Sequence, residues 1–206
     1  LITELVEGVG LDAVLGRSGP LEARHVLDVG IQCLSALGIA HEPIPGRGGV
    51  PLAHGELRPS ALMLGLDGVV KLRGFGLSHA LASRPGPNAL SFASPEALAV
   101  QPLSVGTDLF SLGALLFFAL TGDEPFPVSP GASPGERLAA IVKGLRGGGL
   151  LREVDELAPG MGSILGRMLC LDPAARFART SDAEAAFREV RNDLGALDVL
   201  ICDPLK

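Results

Sequence analysis

The stretch LAHGELRPSALML, Leu52 to Leu64, sets an imidazole, a carboxylate and a guanidinium on alternate positions: His54, Glu56 and Arg58. Glu56 could orient a hydroxyl as a general base, and otherwise reads as a polar loop residue. His54 reads first as a core histidine with its hydrogen bonds satisfied. The other chemistry-bearing residues are dispersed. His25, His41 and His79 have no ligand spacing to one another, and zinc needs three or four converging ligands. The three cysteines, Cys33, Cys170 and Cys202, are odd in number and form no CxxC pair, which points to reduced, mostly buried thiols. No GxGxxG pattern is present, and the glycine cluster GRGGVP leads into no helix start.

Composition narrows the classes further. The chain has 206 residues, enough for one sizeable domain, and 47% of them are hydrophobic, which excludes general disorder. A net charge of −6, with no Trp and no Tyr, argues against a nucleic-acid groove. The most apolar run, LFSLGALLFFAL from Leu109 to Leu120, has 12 residues. A membrane span needs roughly 20, so this run is expected to be a core helix rather than a span. No signal peptide opens the chain, and a cytoplasmic location is expected. Because the first residue is Leu1 rather than Met, a segment upstream is expected to have been removed.

Elements follow from periodicity and turn chemistry. LITELVEG predicts a strand ending at Gly8, and LDAVLGRSG one or two helical turns stopped by Gly19-Pro20. Val26, Leu27, Ile31, Leu34 and Leu37 mark a helix between Leu21 and His41, with Gly30 set where another helix comes close. Pro43–Pro51 and Ser83–Asn88 read as loops. ALML-GLDG-VVKLR predicts a hairpin turning at Asp67-Gly68. A helix hydrophobic on every side begins at Thr107-Asp108 and ends at Thr121-Gly122, so protein must surround it. After a loop near Pro125–Pro134, three weaker helices are expected over Gly135–Arg146, Met161–Leu171 and Ser181–Leu194. The last carries capping-box spacing between Ser181 and Glu184. The stretch REVDE, Arg152 to Glu156, and the cations Arg137, Lys143 and Arg146 read as solvated faces. The fold class is mainly α with a small β-hairpin at one edge.

Six of these pieces, in order, resemble the C-terminal lobe of a eukaryotic-type (Hanks-type) Ser/Thr protein kinase. LITELVEG is similar to the last N-lobe strand and hinge, HGELRPSALML to the catalytic loop, and VVKLRGFG to the strand ending in DFG. FASPE is similar to the APE motif, TDLFSLGALLFFALTG to the central helix, and DPAARF to the segment carrying a structural arginine. The resemblance implies a kinase-like lobe over residues 1–195 and a tail over 196–206. Within the lobe it assigns hinge and strand to 1–8, the catalytic-loop equivalent to 54–64, the activation segment to 74–96 and the central helix to 107–121. Residue usage rich in Ala, Gly, Leu and Arg suggests a bacterial, GC-rich source.

Set against the family's HRDLKPxN, His54 is kept, Gly55 replaces the arginine and Glu56 the catalytic aspartate. Arg58 replaces the lysine and Ala61 the metal-binding asparagine; in DFG, Gly74 replaces the aspartate that holds magnesium. Glu56 is one methylene too long, and a misplacement of ~1 Å costs on the order of 100-fold. Ala61 and Gly74 have no oxygen to offer a hard cation. The resemblance also implies structural anchors: His54 in the core, Asp108 fastening the catalytic-loop backbone, and a buried Glu96–Arg176 ion pair. Gly55 cannot clamp a phosphate. The segment 74–96 contains neither Thr nor Tyr, only Ser78, Ser83, Ser91 and Ser94, so no phosphorylation switch of the usual type is expected.

The reading is therefore a degenerate kinase, a pseudokinase without catalysis, acting as a scaffold for another signalling protein such as an active kinase or its substrate. No cofactor is expected, neither magnesium nor ATP held by this chain alone. Were adenine retained, it would sit at Glu4 and Val6 through their backbone and above Met63. Three alternatives stand beside this: an atypical Ser/Thr kinase using Glu56 with an upstream N-lobe, a metal-independent nucleotide sensor, and an unrelated helical domain.

Overall fold

The computed structural model describes residues 5–43, 51–75 and 90–194. Helices dominate, and a small antiparallel sheet lies at one edge. The centre is helix α4, Val105–Thr121, and this label follows α1 (Leu11–Ser18), α2 (Ala23–His41) and α3 (Pro95–Leu98). From Gly106 to Leu120 only Phe118 of α4 escapes full burial, so the run that is apolar all round is indeed enclosed by protein. The helix starts two residues before the expected Thr107 because Ser104 is its N-cap and Thr107 its N3 partner; the Ser104 N–H donates to the Thr107 hydroxyl at 3.0 Å. Gly122, at φ 82°, ends it in the left-handed region.

Helix α2 packs on α4 and on the last helix, α8 (Thr180–Asp193). Gly30 is the point of closest approach. A Cβ there would lie 2.8 Å from Phe187 of α8 and 3.1 Å from Leu116 of α4, so only a hydrogen fits. Between α4 and α8 run α5 (Pro134–Gly147), α6 (Gly149–Leu157) and α7 (Met161–Met168).

The sheet has the order β1 (Gly8–Gly10), β2 (Leu62–Gly65), β3 (Val70–Leu72), all antiparallel. The expected hairpin is β2–β3, registered Leu62 to Leu72, and its turn passes through Gly68 at φ 78°. Gln32 of α2 ties the turn down. Its amide donates to the Gly68 carbonyl at 3.2 Å, and its oxygen accepts the Val70 N–H at 2.8 Å.

Several expectations are corrected. The first strand is not LITELVEG: residues 1–4 lie outside the described residues, Leu5–Glu7 are irregular, and the strand is Gly8–Gly10. The glycine read as a turn is the pairing residue, since a Cβ on Gly8 would sit 2.3 Å from the Leu64 carbonyl oxygen. Helix α7 stops at Met168 rather than Leu171, and the carbonyls of Cys170 and Leu171 turn to Arg176. Ser181 does not cap α8. Arg179 holds the N-cap position without a side-chain bond, and Glu184 pairs with Arg188 at 2.6 Å instead. Helices α3 and α6 were not anticipated. In α6, Val154 is buried while Arg152, Glu153 and Glu156 are exposed, and Asp155 accepts the N–H groups of Gly160 and Gly162 at the start of α7. Most of the loop at 43–51, the loop at 83–88 and the tail at 196–206 lie outside the described residues. Among those described, no helix is long and apolar enough to cross a membrane.

Candidate functional site

Asp108, one turn into α4 and fully buried, organises the loop that carries His54 and Glu56. Its Oδ2 accepts the His54 N–H and its Oδ1 the Gly55 N–H, each at 2.7 Å. His41, from the end of α2, brings Nε2 to within 2.8 Å of the same carboxylate. Gly55 takes φ 77°, a conformation that turns two successive N–H groups toward one acceptor and favours glycine. The loop backbone is thus held by a buried carboxylate with both oxygens engaged.

The His54 ring is equally committed. Nδ1 accepts the Glu56 N–H at 3.3 Å, which leaves the proton on Nε2, donated to the Arg73 carbonyl at 3.0 Å. Phe75 meets the ring edge-on, with centroids 4.6 Å apart. Burial pushes the His54 pKa down, against the opposing pull of the Arg73 carbonyl and the Asp108 charge. The imidazole is a neutral structural group.

Glu56 is half-buried, with its carboxylate 3.7 Å from the Arg58 guanidinium, and accepts from no backbone donor among the described residues. Beyond it runs a 3-10 turn, Pro59–Ala61, closed by the Ala61 N–H donating to the Arg58 carbonyl at 2.8 Å. Ala61 is buried, and Gly74 follows β3 at φ 96°. Met63 stands on β2 between Gly10 and Lys71, and Val6 precedes β1, half-buried; Glu4 lies outside the described residues.

Magnesium, which the kinase resemblance implies, does not fit these residues. A methyl and a hydrogen stand where two oxygen ligands would be needed. The nearby main-chain oxygens are already accepting: Ser60 from the Arg73 Nε at 2.7 Å, Ala61 from the Arg73 N–H at 2.9 Å, and Arg73 from His54. The Arg73 guanidinium adds a positive charge at the same place. Among the described residues no three His, Cys, Asp or Glu side chains form a metal-holding group.

A second buried polar centre lies under α3. Arg176 follows the 3-10 turn Pro173–Ala175 and pairs with Glu96 through both terminal nitrogens, at 2.6 and 3.0 Å. The remaining donors go to the carbonyls of Cys170 (2.8 Å), Gly106 (2.7 Å) and Leu171 (3.3 Å), and the Phe110 ring lies 5.0 Å from the guanidinium. Burial alone would raise the Glu96 pKa. The hydrogen bonds and charge of Arg176, its own peptide N–H and the Ser94 hydroxyl outweigh that and hold it below the ordinary carboxyl value. One arginine thereby joins α3, the start of α4 and the end of α7.

Sequence reasoning passed over His41 and Arg73. Each sits at the end of an apolar element, and nothing in its spacing distinguishes it from a surface residue. His41 becomes visible only through Asp108, and Arg73 only through Ser60.

A helical lobe whose buried central helix clamps a polar loop from below, with a small sheet above the loop, defines the kinase-like class. Residues 1–188 match the family described as protein kinase domain, and the chain belongs to that family. Its relatives include bacterial Ser/Thr kinases. The serine/threonine-protein kinase PknA of Mycobacterium tuberculosis is 32% identical over 132 residues, 61% of this chain and 29% of that protein. PknB of the same species is 24% identical over 204 residues, 93% of this chain and 30% of that protein. The drp72 kinase of Corynebacterium efficiens is 24% identical over 205 residues, covering 93% and 35%. The chain thus spans roughly a third of the length of these relatives. Among solved structures, Rad53 1–466 in complex with AMP-PNP superposes with a TM-score of 0.67 at 23% identity, over 88% of this chain and 44% of that one. The Rad53 kinase domain with SCD2 gives 0.65 at 20% identity, over 90% and 65%. These two share its fold.

Proposed function

We propose that this chain is a kinase-like lobe that does not transfer phosphate and that works by contact with another signalling protein, such as an active kinase or its substrate. One observation carries the reading. The buried ties that shape the loop, Asp108 to His54 and Gly55, are complete, while the positions equivalent to metal ligands hold Ala61 and Gly74 amid carbonyls already bonded. Phosphoryl transfer is positioning plus neutralisation of charge, and here only the positioning frame is intact. The reading carries no resident cofactor. A cytoplasmic setting suits it.

The partner surface that suits this role is a cavity of about 440 Å³ beside the loop. Its lining is apolar at Leu15, Pro59, Phe92 and Phe118 and carries both signs of charge, Asp12 and Glu124 against Arg58. An extended segment with apolar side chains and mixed charge matches that lining.

The test is incubation of the protein with labelled ATP and Mg²⁺ or Mn²⁺, with and without a general Ser/Thr acceptor. No label should move to the acceptor or to the protein. Transfer that vanishes in Glu56→Ala would overturn the reading.

A further inference from the structure

One buried nitrogen at the Asp108 clamp is left without a partner. His41, the last residue of α2, has a side chain only 5% exposed and commits Nε2 to Asp108 at 2.8 Å. A carboxylate only accepts, so Nε2 carries the proton, and Nδ1 of the neutral ring is an acceptor. That Nδ1 is sealed from water and has no hydrogen-bond partner among the described residues. A buried acceptor without a donor lowers stability, and its presence calls for a missing partner, either a water or a ligand.

His41 stands in the wall of a cavity of about 790 Å³, bounded by the end of α2, by Val105 at the start of α4 and by the start of α8. The share of one water is ~30 Å³, whereas small-molecule sites take ~300–1,000 Å³, so the volume suits a ligand. With Nε2 turned inward to Asp108, Nδ1 is the edge of the ring left for the cavity. Another wall is a helix start without a side-chain cap. Arg179 holds the N-cap position of α8 and makes no side-chain bond there. The Asp182 N–H is taken by the Arg179 carbonyl at 3.2 Å, while the N–H groups of Thr180 and Ser181 have no acceptor among the described residues. The two walls are close, since a Cβ on Gly38, one turn before His41, would lie 3.1 Å from the Thr180 hydroxyl oxygen. Ile39, 78% exposed, and the half-buried Val105 add apolar surface.

Charge decides the kind of ligand. Arg179 is paired with Asp182 at 3.1 Å and Glu184 with Arg188 at 2.6 Å, which leaves Glu42 at the cavity and Asp108 behind His41 as the unbalanced charges. Both oppose an anion, and the positive end of α8 opposes a cation. We infer that this cavity binds a small uncharged amphiphile, which donates a hydroxyl hydrogen bond to His41 Nδ1, offers an oxygen to the first N–H groups of α8 and lays an apolar body on Ile39 and Val105. The site shares no residue with the cavity beside the loop and does not depend on the non-catalytic reading.

The experiment follows the histidine ring nitrogens of the full-length, ¹⁵N-labelled protein by NMR at neutral pH while probes are titrated. The probes are 4-hydroxybenzamide, which has all three features, benzamide, which lacks the hydroxyl, phenol, which lacks the carbonyl, and 4-hydroxybenzoate, which adds a charge. In the free protein the His41 Nδ1 signal should be that of an unprotonated nitrogen. 4-Hydroxybenzamide should move it upfield, the mark of an accepted hydrogen bond, and the other three should bind about tenfold more weakly, the consequence of one lost or opposed polar contact. Ser181→Glu sets a carboxylate at the cavity while favouring the helix start, so it should weaken 4-hydroxybenzamide at an unchanged or raised melting temperature of the free protein. A protonated Nδ1 in the free protein overturns the inference, as does a signal that no probe moves at millimolar concentration, which assigns the nitrogen to water. Equal binding of benzamide, or undiminished binding by Ser181→Glu, overturns it as well.

Discussion

Replacing Glu96 by alanine strands a guanidinium in the protein interior. In the native lobe the Arg176 side chain has no exposure and Glu96 only 6%, and the two meet through paired bonds of 2.6 and 3.0 Å. After Glu96→Ala the charge keeps three carbonyls, those of Cys170, Gly106 and Leu171, but no counter-charge. Breaking a buried pair from one side costs about 3–5 kcal/mol, a large part of the ~5–15 kcal/mol that holds a domain together. For a chain of this size each kcal/mol moves the melting temperature by about 2–4 °C, so a fall of roughly 6–20 °C is expected. Arg176→Ala should cost at least as much, because it strands Glu96 and three carbonyls together. Urea unfolding at neutral pH reads both. Acidity gives an independent check: Glu96 has a folded pKa below its ordinary 4.5, so its stabilisation is complete above that value and drains away as pH falls through the lower, folded one. The gap between wild type and Glu96→Gln should therefore narrow in that acid window. A cost for Glu96→Ala below about 1 kcal/mol, the value of a surface pair, would refute the reasoning.

Other expectations are briefer. Gly30→Ala gains ~1 kcal/mol of helix propensity but drives a methyl to 2.8 Å from Phe187, an overpacking that costs about 1–3 kcal/mol; the urea midpoint should fall with the slope unchanged. Val100 sits at φ 56° and is 92% exposed, a left-handed conformation without packing to lose. Val100→Gly should raise stability by about 0.5–1 kcal/mol once the looser unfolded chain is discounted. Histidine NMR should find the His54 ring protonating below 6.5, because burial lowers its pKa. The unfolded chain then takes up that proton first, so this contribution to stability shrinks as pH falls below 6.5.

The helices legible in the sequence were those whose burial leaves a periodic trace. Helix α2 shows it through Val26, Leu27, Ile31 and Leu34, and α4 by being apolar all round. The hairpin was legible because Asp67-Gly68 permits its turn, and Gly30 because an interior glycine needs a close neighbour. Helix α6 was hidden behind Gly147, Gly148 and Gly149, which read as loop, and because Val154 is its one buried residue. Strand β1 was hidden because its glycines are silent in any hydrophobic pattern, although only glycine admits that strand to the Leu64 carbonyl. At the site, Asp108, Glu96 and Arg176 came from resemblance of motifs, since a buried charge and an exposed one look alike in a string of letters. His41 and Arg73 depend on partners distant in sequence, Asp108 and Ser60, which only the folded chain brings near.

The clamp at Asp108 has a consequence for synthesis. The N–H groups of His54 and Gly55 find their acceptor 54 and 53 residues later in the chain. At the ribosome's pace of ~5–20 residues per second, that separation is an interval of about 3–10 seconds. Throughout it the loop has been made and its fastener has not, and the apolar faces of α2 meant for α4 have nothing to cover them. Joining points so far apart also exacts a closure entropy of about 4 kcal/mol, which nearer contacts do not incur. The clamp on the loop therefore closes only after the first turn of α4 has been made.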